Sequence, residues 1–374
     1  MKHLSGAIAC GDGRTFAGRV GFAERIETVE AATAGGDDYI LPGFIDLQVN
    51  GSHGIDVMTA SPDEIVSLAG HLAREGICGF TPTAVTAPLE QIERAHTAIA
   101  GAIAAQTRGH DTNAAGAAIL GMHLEGPFIS SARLGAHVPL NLEPRGIALD
   151  RVLGLGNLRL VTLAPELHGA LDAIRRFCAR DVVVSIGHTD ATLAEAEAGI
   201  AAGARMFTHL FNAMRPLRHR DPGVIAAAML AREAKPAVIP DGVHVDPAML
   251  ALVYRARGAA GMLMTTDKVA LGGGRPGASR QVGRAYARVE AGAARLADGT
   301  LAGSVISMLD GARLMVEKVG VSVGEVAMMA SANPAAMLGL EDRGKLKPGG
   351  RADLLVLSRE LKLKAVYIGG RELT

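Results

Sequence analysis

Short apolar runs alternate with longer Ala-rich segments along most of the chain. The runs at 77–81, 117–123, 158–163, 182–186, 205–209, 237–239 and 262–266 are rich in Val, Ile, Leu and Met. Their period-2 alternation is weak, which predicts strands buried on both faces. Between them, 61–75, 88–107, 168–180, 190–203, 223–234, 246–258, 304–319 and 322–331 have helical length and composition. Strand–helix repetition in close to eight units predicts a parallel (β/α)8 barrel, a TIM barrel. The chain ends differ. Residues 1–40 are Gly-rich with short apolar patches, and Tyr39–Leu47 is an apolar run broken by Pro42-Gly43. Gly344–Gly350 is a turn-rich break, after which 353–357 and 365–368 read as strands joined through Gly369-Gly370. The expected organisation is 1–41 plus 343–374 as a small β-domain built from both ends, with 42–342 as the barrel.

Composition narrows the function classes. The 374 residues carry 38 Lys+Arg against 38 Asp+Glu, so the formal charge is zero. Eight Phe, four Tyr and no Trp leave few rings for stacking. A nucleic-acid partner is therefore not expected. With 49% hydrophobic residues and balanced charge, the chain is not a disordered one. Three widely spaced cysteines, Cys10, Cys78 and Cys178, form no CxxC pair and suggest no disulfide framework. No signal-peptide pattern and no long uncharged apolar run is present, so a cytoplasmic protein away from membranes is expected.

In a parallel barrel, functional groups sit at the carboxyl ends of strands. Four polar residues stand there on separate strand units: Glu125 after 119–124, His188 after 182–187, His209 after 205–208 and Asp267 after 262–266. Taken singly, each reads as a polar residue satisfied at a strand end. Taken together, two imidazoles and a carboxylate make an open N/O metal site with room for water. A cation there lowers the pKa of water and polarises a carbonyl, and a second carboxylate can carry the proton.

At these residues the sequence becomes specific. Met122-His123-Leu124-Glu125-Gly126-Pro127-Phe128 resembles a hallmark of the N-acetylglucosamine-6-phosphate deacetylases of the amidohydrolase superfamily. Gly187–Thr192, Thr208–Met214, Asp241–Asp246, Thr265-Thr266-Asp267 and Leu301–Ser304 match in order. Leu41–Asp46 resembles the superfamily's barrel opening, and 344–357 its closing strand segment. The resemblance spans essentially the whole chain. It implies a (β/α)8 barrel with a small β-sandwich from both termini, and hydrolysis of the acetamide of a 6-phosphorylated amino sugar. It implies metal ligands at Glu125, His188 and His209, a general acid/base at Asp267, and a substrate-contacting histidine at His137 that polarises the acetyl carbonyl. Ala136, Asn212, Ala213, Arg220, Asp241 and His244 match positions around the sugar and its phosphate, and Leu301, Ala302 and Gly303 a backbone segment lining the sugar site. It also implies a homodimer in which an Arg reaches the neighbouring phosphate site, with Arg220 the candidate for either subunit.

Three departures matter. Where many amidohydrolases carry His-x-His and a second metal, this chain has Gln48-Val49-Asn50. Amides are weak ligands for zinc, so a single divalent ion is expected, zinc first and Fe(II) as the alternative. Lys268 follows Asp267 where a small residue is common, and strand alternation should turn it away from the site. His53 reads as a histidine of a Gly-rich turn. Leu271–Gly277 reads either as a lid over the site or as a surface loop. His123 is assigned to the barrel wall, and His3, His71, His96, His110 and His168 receive no role. The alternatives are an N-acetylgalactosamine-6-phosphate or other N-acyl amine deacetylase, a cyclic-amide hydrolase, and a non-catalytic amino-sugar-phosphate binder.

Overall fold

The computed structural model describes residues 1–33, 36–108, 116–275, 277–282 and 285–373. His110, and Pro276 of the 271–277 stretch, lie outside the described residues. The barrel runs through eight parallel strands: Phe44–Val49, Ile77–Val85, Met122–Glu125, Leu158–Leu163, Val183–Ile186, Met206–Phe207, Lys235–Val238 and Leu263–Met264. Each pairs with the next through parallel registers such as Leu124↔Val161 and Val161↔Val184. The expected runs are thus barrel strands, except that the 117–123 run splits. Ala118–Ile119 only flanks the second strand, and the third strand proper starts at Met122.

The cylinder is nearly closed. Between the eighth and first strands the described backbone pairing is a single bridge, Val49↔Lys268. Side chains complete this seam. The buried Asp46 carboxylate accepts from the Thr265 hydroxyl (2.7 Å), the Thr266 hydroxyl (2.5 Å) and the Thr266 amide. At the base of the barrel, Ile45, Leu47, Leu160, Met206, Ala237 and Leu263 pack with Ala335 and Leu338. Above them the interior turns polar. His123 lies 3.3 Å from the Thr83 hydroxyl and 2.9 Å from Thr162, which continues to Thr208 (2.7 Å) and Ser185 (2.6 Å). These contacts satisfy His123 within the wall.

The crossover helices follow their local signals. Pro62–Arg74 begins with Ser61 capping and Glu64 reaching back, with Pro62 in the first turn. Thr192/Glu195 cap Leu193–Ala202 in the same way, and Ser322/Glu325 cap Val323–Ala327. One helix, Gly146–Leu153, and a four-stranded antiparallel insert were not expected. The insert comprises Ser279–Val282, Ala285–Glu290, Ala293–Arg295 and Leu301–Ser304. Both ends of the chain join one seven-stranded mixed sheet. Its order is Arg371–Glu372, Leu363–Ile368, Leu354–Leu357, Tyr39–Pro42, Lys2–Ala9, Thr15–Phe22, Ile26–Ala31.

Candidate active site

Three strand-end residues share an unusual backbone. His188, His209 and Asp267 have φ of 48°, 26° and 49°. Left-handed backbone at non-glycine residues costs about 1–3 kcal/mol each and persists where the surroundings over-determine it. Here it turns each side chain from the end of its strand into a cavity of about 300 Å³ at the carboxyl end of the barrel.

Glu125 lies at the centre. Its Oε1 is 2.9 Å from His209 Nε2, 3.1 Å from His188 Nε2 and 2.9 Å from Gln48 Nε2. His137 Nε2 lies 3.4 Å from Oε2. The two imidazole Nε2 atoms of His188 and His209 are 3.2 Å apart. Donor atoms of Glu125, His137 and His188 all fall within 4.8 Å of one another. Burial disfavours the charged Glu125, but the His137, His188 and His209 nitrogens outweigh it and hold the carboxyl well below its usual range. Burial lowers His188 to about 4, with His137 adding to the effect. Burial also pulls His209 down, but Glu125 and Asp267 outweigh it and the net direction is up.

The His188 tautomer follows from its neighbour. Nδ1 is 3.0 Å from the Arg133 carbonyl, which can only accept. Nδ1 therefore carries the proton, and Nε2 turns its lone pair toward an ionised carboxylate oxygen and a second imidazole. The His188 Nε2 lone pair thus faces an ionised carboxylate oxygen in a buried site with His209 Nε2 beside both, and this N/N/O donor set suits a divalent cation. Among the described residues, the buried His209 Nδ1 has no hydrogen-bond partner.

Asp267 faces the same cavity on a separate path. Its Oδ1 accepts from Asn50 Nδ2 at 2.7 Å and Gln48 Nε2 at 3.0 Å. Burial, then the charge of Glu125, raises it to about 7. Gln48 thus donates to both carboxylates, while its own Oε1, like Asn50 Oδ1, has no hydrogen-bond partner among the described residues. That bridging role was not legible in the sequence, where the pair stood only for the loss of two imidazoles.

Of the other sequence-derived residues, Ala136, His137, Asn212, Ala213, His244, Leu301, Ala302 and Gly303 line the cavity. His137 Nδ1 is 2.8 Å from the Thr86 hydroxyl. Asp241 sits behind His244 and accepts from its Nδ1 at 2.6 Å. Arg220 does not line the cavity; it is exposed on the loop before helix Gly223–Leu230. Lys268 turns outward, as alternation requires, and its buried ammonium pairs with Glu75. His53 stacks on His71 with ring centroids 4.4 Å apart and lies 3.6 Å from Glu75. The Gly-rich stretch is anchored to this turn: His53 N donates to Gly272 O, and Gly54 N to Ala270 O, both at 2.8 Å. Among the described residues it is docked on the barrel rim. Asp56, Met58, Thr86 and Thr300 also line the cavity and carried no sequence signal.

Comparison with known proteins places this arrangement. The family model described as the Amidohydrolase family matches residues 39–373. The chain is 38% identical over 369 residues to the N-acetylglucosamine-6-phosphate deacetylase of Bos taurus, covering 93% of this chain and 86% of that one. It is 37% identical over 356 residues to the N-acetylgalactosamine-6-phosphate deacetylase of Escherichia coli O157:H7, covering 94% and 92%. Among solved structures it is similar to the N-acetylglucosamine-6-phosphate deacetylase of Thermotoga maritima, with TM-score 0.91, 29% identity and 99% of both chains covered. A point mutant of the Mycobacterium smegmatis enzyme in complex with N-acetyl-D-glucosamine-6-phosphate matches with TM-score 0.88 and 34% identity, covering 99% of this chain and 98% of that one.

Proposed function

Because this chain belongs to the N-acetylglucosamine-6-phosphate deacetylase family of the amidohydrolase superfamily, we propose that it hydrolyses the acetamide of N-acetyl-D-glucosamine 6-phosphate to D-glucosamine 6-phosphate and acetate. The observation that carries this reading is Asp267, a buried carboxyl raised to about 7 beside an N/N/O donor set in one cavity. A proton carrier works best when its pKa lies near the operating pH.

Glu125, His188 and His209 would hold the ion, with zinc the natural fit to two imidazoles and a carboxylate and Fe(II) the alternative. Such an ion supplies Lewis acidity toward the acetyl oxygen and lowers the pKa of water. Arg133 fixes His188 in the tautomer that leaves Nε2 free. Asn50 and Gln48 hold Asp267 Oδ1, leaving Oδ2 to take a proton from the attacking water and then give it to the departing nitrogen. The Thr86 hydroxyl, 2.8 Å from His137 Nδ1, positions that ring, whose Nε2 lies 3.4 Å from Glu125 Oε2 and would turn to the acetyl oxygen as charge develops there. Asp241 orients His244 toward the sugar phosphate, and Arg220, supplied by a neighbouring copy in a homodimer, completes the anion's partners.

A second reading, the galacto epimer, is favoured by the E. coli O157:H7 relative, whose identity is near that of the Bos taurus one. Acetate release should be assayed on both epimeric 6-phosphates and on unphosphorylated N-acetylglucosamine, with metal content measured on the same sample. The gluco 6-phosphate should be the best substrate, with about one divalent ion per chain needed for turnover. Equal activity with and without phosphate, or full activity after chelation, overturns the proposal.

A further inference from the structure

Among the described residues, no Lys or Arg lines the cavity. A cation for the phosphate must therefore come from outside the lining, and the arginines of the basic loop Arg215–Pro222 differ sharply in their surroundings. Arg218 and Arg220 are exposed and, among the described residues, have no carboxylate within ion-pair distance. Arg215 is the opposite case. Its Nη1 donates to both oxygens of Asp221, at 2.9 and 3.1 Å. Its Nη2 donates to Asp190 Oδ2 at 3.1 Å and its Nε to the Asp190 carbonyl at 2.8 Å.

Asp190 is itself held from two other sides. Arg133 Nε donates to its Oδ1 at 2.8 Å, and its amide donates to Glu166 at 2.7 Å. Arg133 is also the residue whose carbonyl orients His188. One continuous path thus runs from the donor cluster through Arg133 and Asp190 to Arg215, Asp221 and the loop. The packing of the loop depends on it too. Gly223 has φ of +60°, and a Cβ there would sit 3.0 Å from the Arg215 side chain.

We propose that Arg215 is a positioning and specificity residue for substrate phosphate: by occupying both oxygens of Asp221 it keeps the neighbouring Arg220 guanidinium unpaired and presented to a phosphate monoester. This rests on the reading of Arg220 given above. The physical argument is competition. Asp221 is adjacent to Arg220 and is the closest anion in sequence able to claim it. A planar guanidinium satisfies a carboxylate bidentately and can bridge a second one at the same time, which an ammonium does not do. With Arg215 in place, Asp221 is neutralised and tied toward Asp190, and the free cation at the loop tip is left for the substrate. Without it, Asp221 pairs with Arg220 and competes with phosphate at the same guanidinium.

The test is steady-state acetate release by the metal-loaded protein with N-acetylglucosamine 6-phosphate and with N-acetylglucosamine. Arg215→Met should raise KM for the phosphorylated sugar roughly tenfold, while any loss passed through Asp190 and Arg133 to His188 falls on both sugars alike, so the ratio of kcat/KM for the phosphorylated over the unphosphorylated sugar drops about tenfold. Arg215→Lys should give an intermediate KM, which keeps the inference testable if the Met variant does not fold. Adding Asp221→Asn to Arg215→Met should recover most of the KM, because the competitor is gone. An equal loss on both sugars, an unchanged KM, or no recovery in the double variant overturns the inference. Arg220→Met separates the two layers. If it leaves the preference for the phosphorylated sugar intact, the phosphate reading itself fails; if it abolishes that preference while Arg215→Met does nothing, only the role of Arg215 fails.

Discussion

Asp267→Asn separates proton transfer from everything else at the site. The substitution is close to isosteric, and the Asn carbonyl oxygen can accept the same two hydrogen bonds, from Asn50 at 2.7 Å and Gln48 at 3.0 Å. The new NH2 then stands where Oδ2 stood, unable to accept a proton. General acid–base catalysis contributes about 10²- to 10⁴-fold. One carboxylate serves here first as base and then as acid, so kcat should fall by about 10³-fold or more, roughly 4 kcal/mol. Metal content, read by elemental analysis, should stay at the wild-type level, since Asp267 makes no hydrogen bond to Glu125, His188 or His209. The same variant has a second readout in chelator-treated protein. Burial raises the Asp267 carboxyl to about 7 from an ordinary 3.8. Above the ordinary value the unfolded wild type releases this proton while the folded one keeps it, so the wild type loses stability relative to the Asn variant as pH rises from 4 to 7. The gap should open steadily across that range in denaturant titrations. A kcat within tenfold of wild type, or metal loss on substitution, would refute the assignment of Asp267 as proton carrier.

Chelation should abolish acetate release and lower the thermal midpoint, because it leaves the His188 lone pair facing an ionised Glu125; His188→Ala should reduce bound metal well below one ion per chain, and normal occupancy would contradict its role. Lys268→Met should cost about 3 kcal/mol in chemical denaturation, since it strands the Glu75 carboxylate of a largely buried pair. It should leave kcat within about threefold because the side chain points away from Asp267. Gly303→Ala should lower kcat/KM at least roughly tenfold: Gly303 has φ of +77°, and a Cβ would meet the Val269 side chain and lie 2.8 Å from the Asp267 carbonyl oxygen. Wild-type kinetics in that variant would mean that the Leu301–Gly303 segment does not shape the site.

What the sequence conveyed depended on how local each cause was. Leu158–Leu163 reads as a buried strand from six residues alone, and 61–75 reads as a helix from its length and composition. Glu125, His188, His209 and Asp267 were legible as a set because each follows an apolar run, a relation contained within a few residues. The insert at 279–304 was missed because its strands are short and interrupted by glycines, and among the described residues the first two pair within the insert rather than with a barrel strand. Helix Gly146–Leu153 was missed because it follows a long irregular segment and has no side-chain cap at its start. Remote in the same way was the contact of Gln48 with Asp267, which joins residues 219 positions apart. No pattern along the chain carries that distance; only closing the cylinder brings the two side chains together.

The seam between the last and first strands makes this chemistry hard to exchange. Gln48 and Asn50 are occupied on their donor sides by Asp267 and Glu125, and two residues upstream Asp46 ties the same strand to Thr265 and Thr266. Introducing two imidazoles at 48 and 50 to recruit another cation would withdraw the amide hydrogens that aim the proton carrier and loosen the joint that shapes the barrel. The joint therefore binds two tasks into one set of side chains: the strand that closes the cylinder is the strand that aims Asp267, and a change in either is felt in the other.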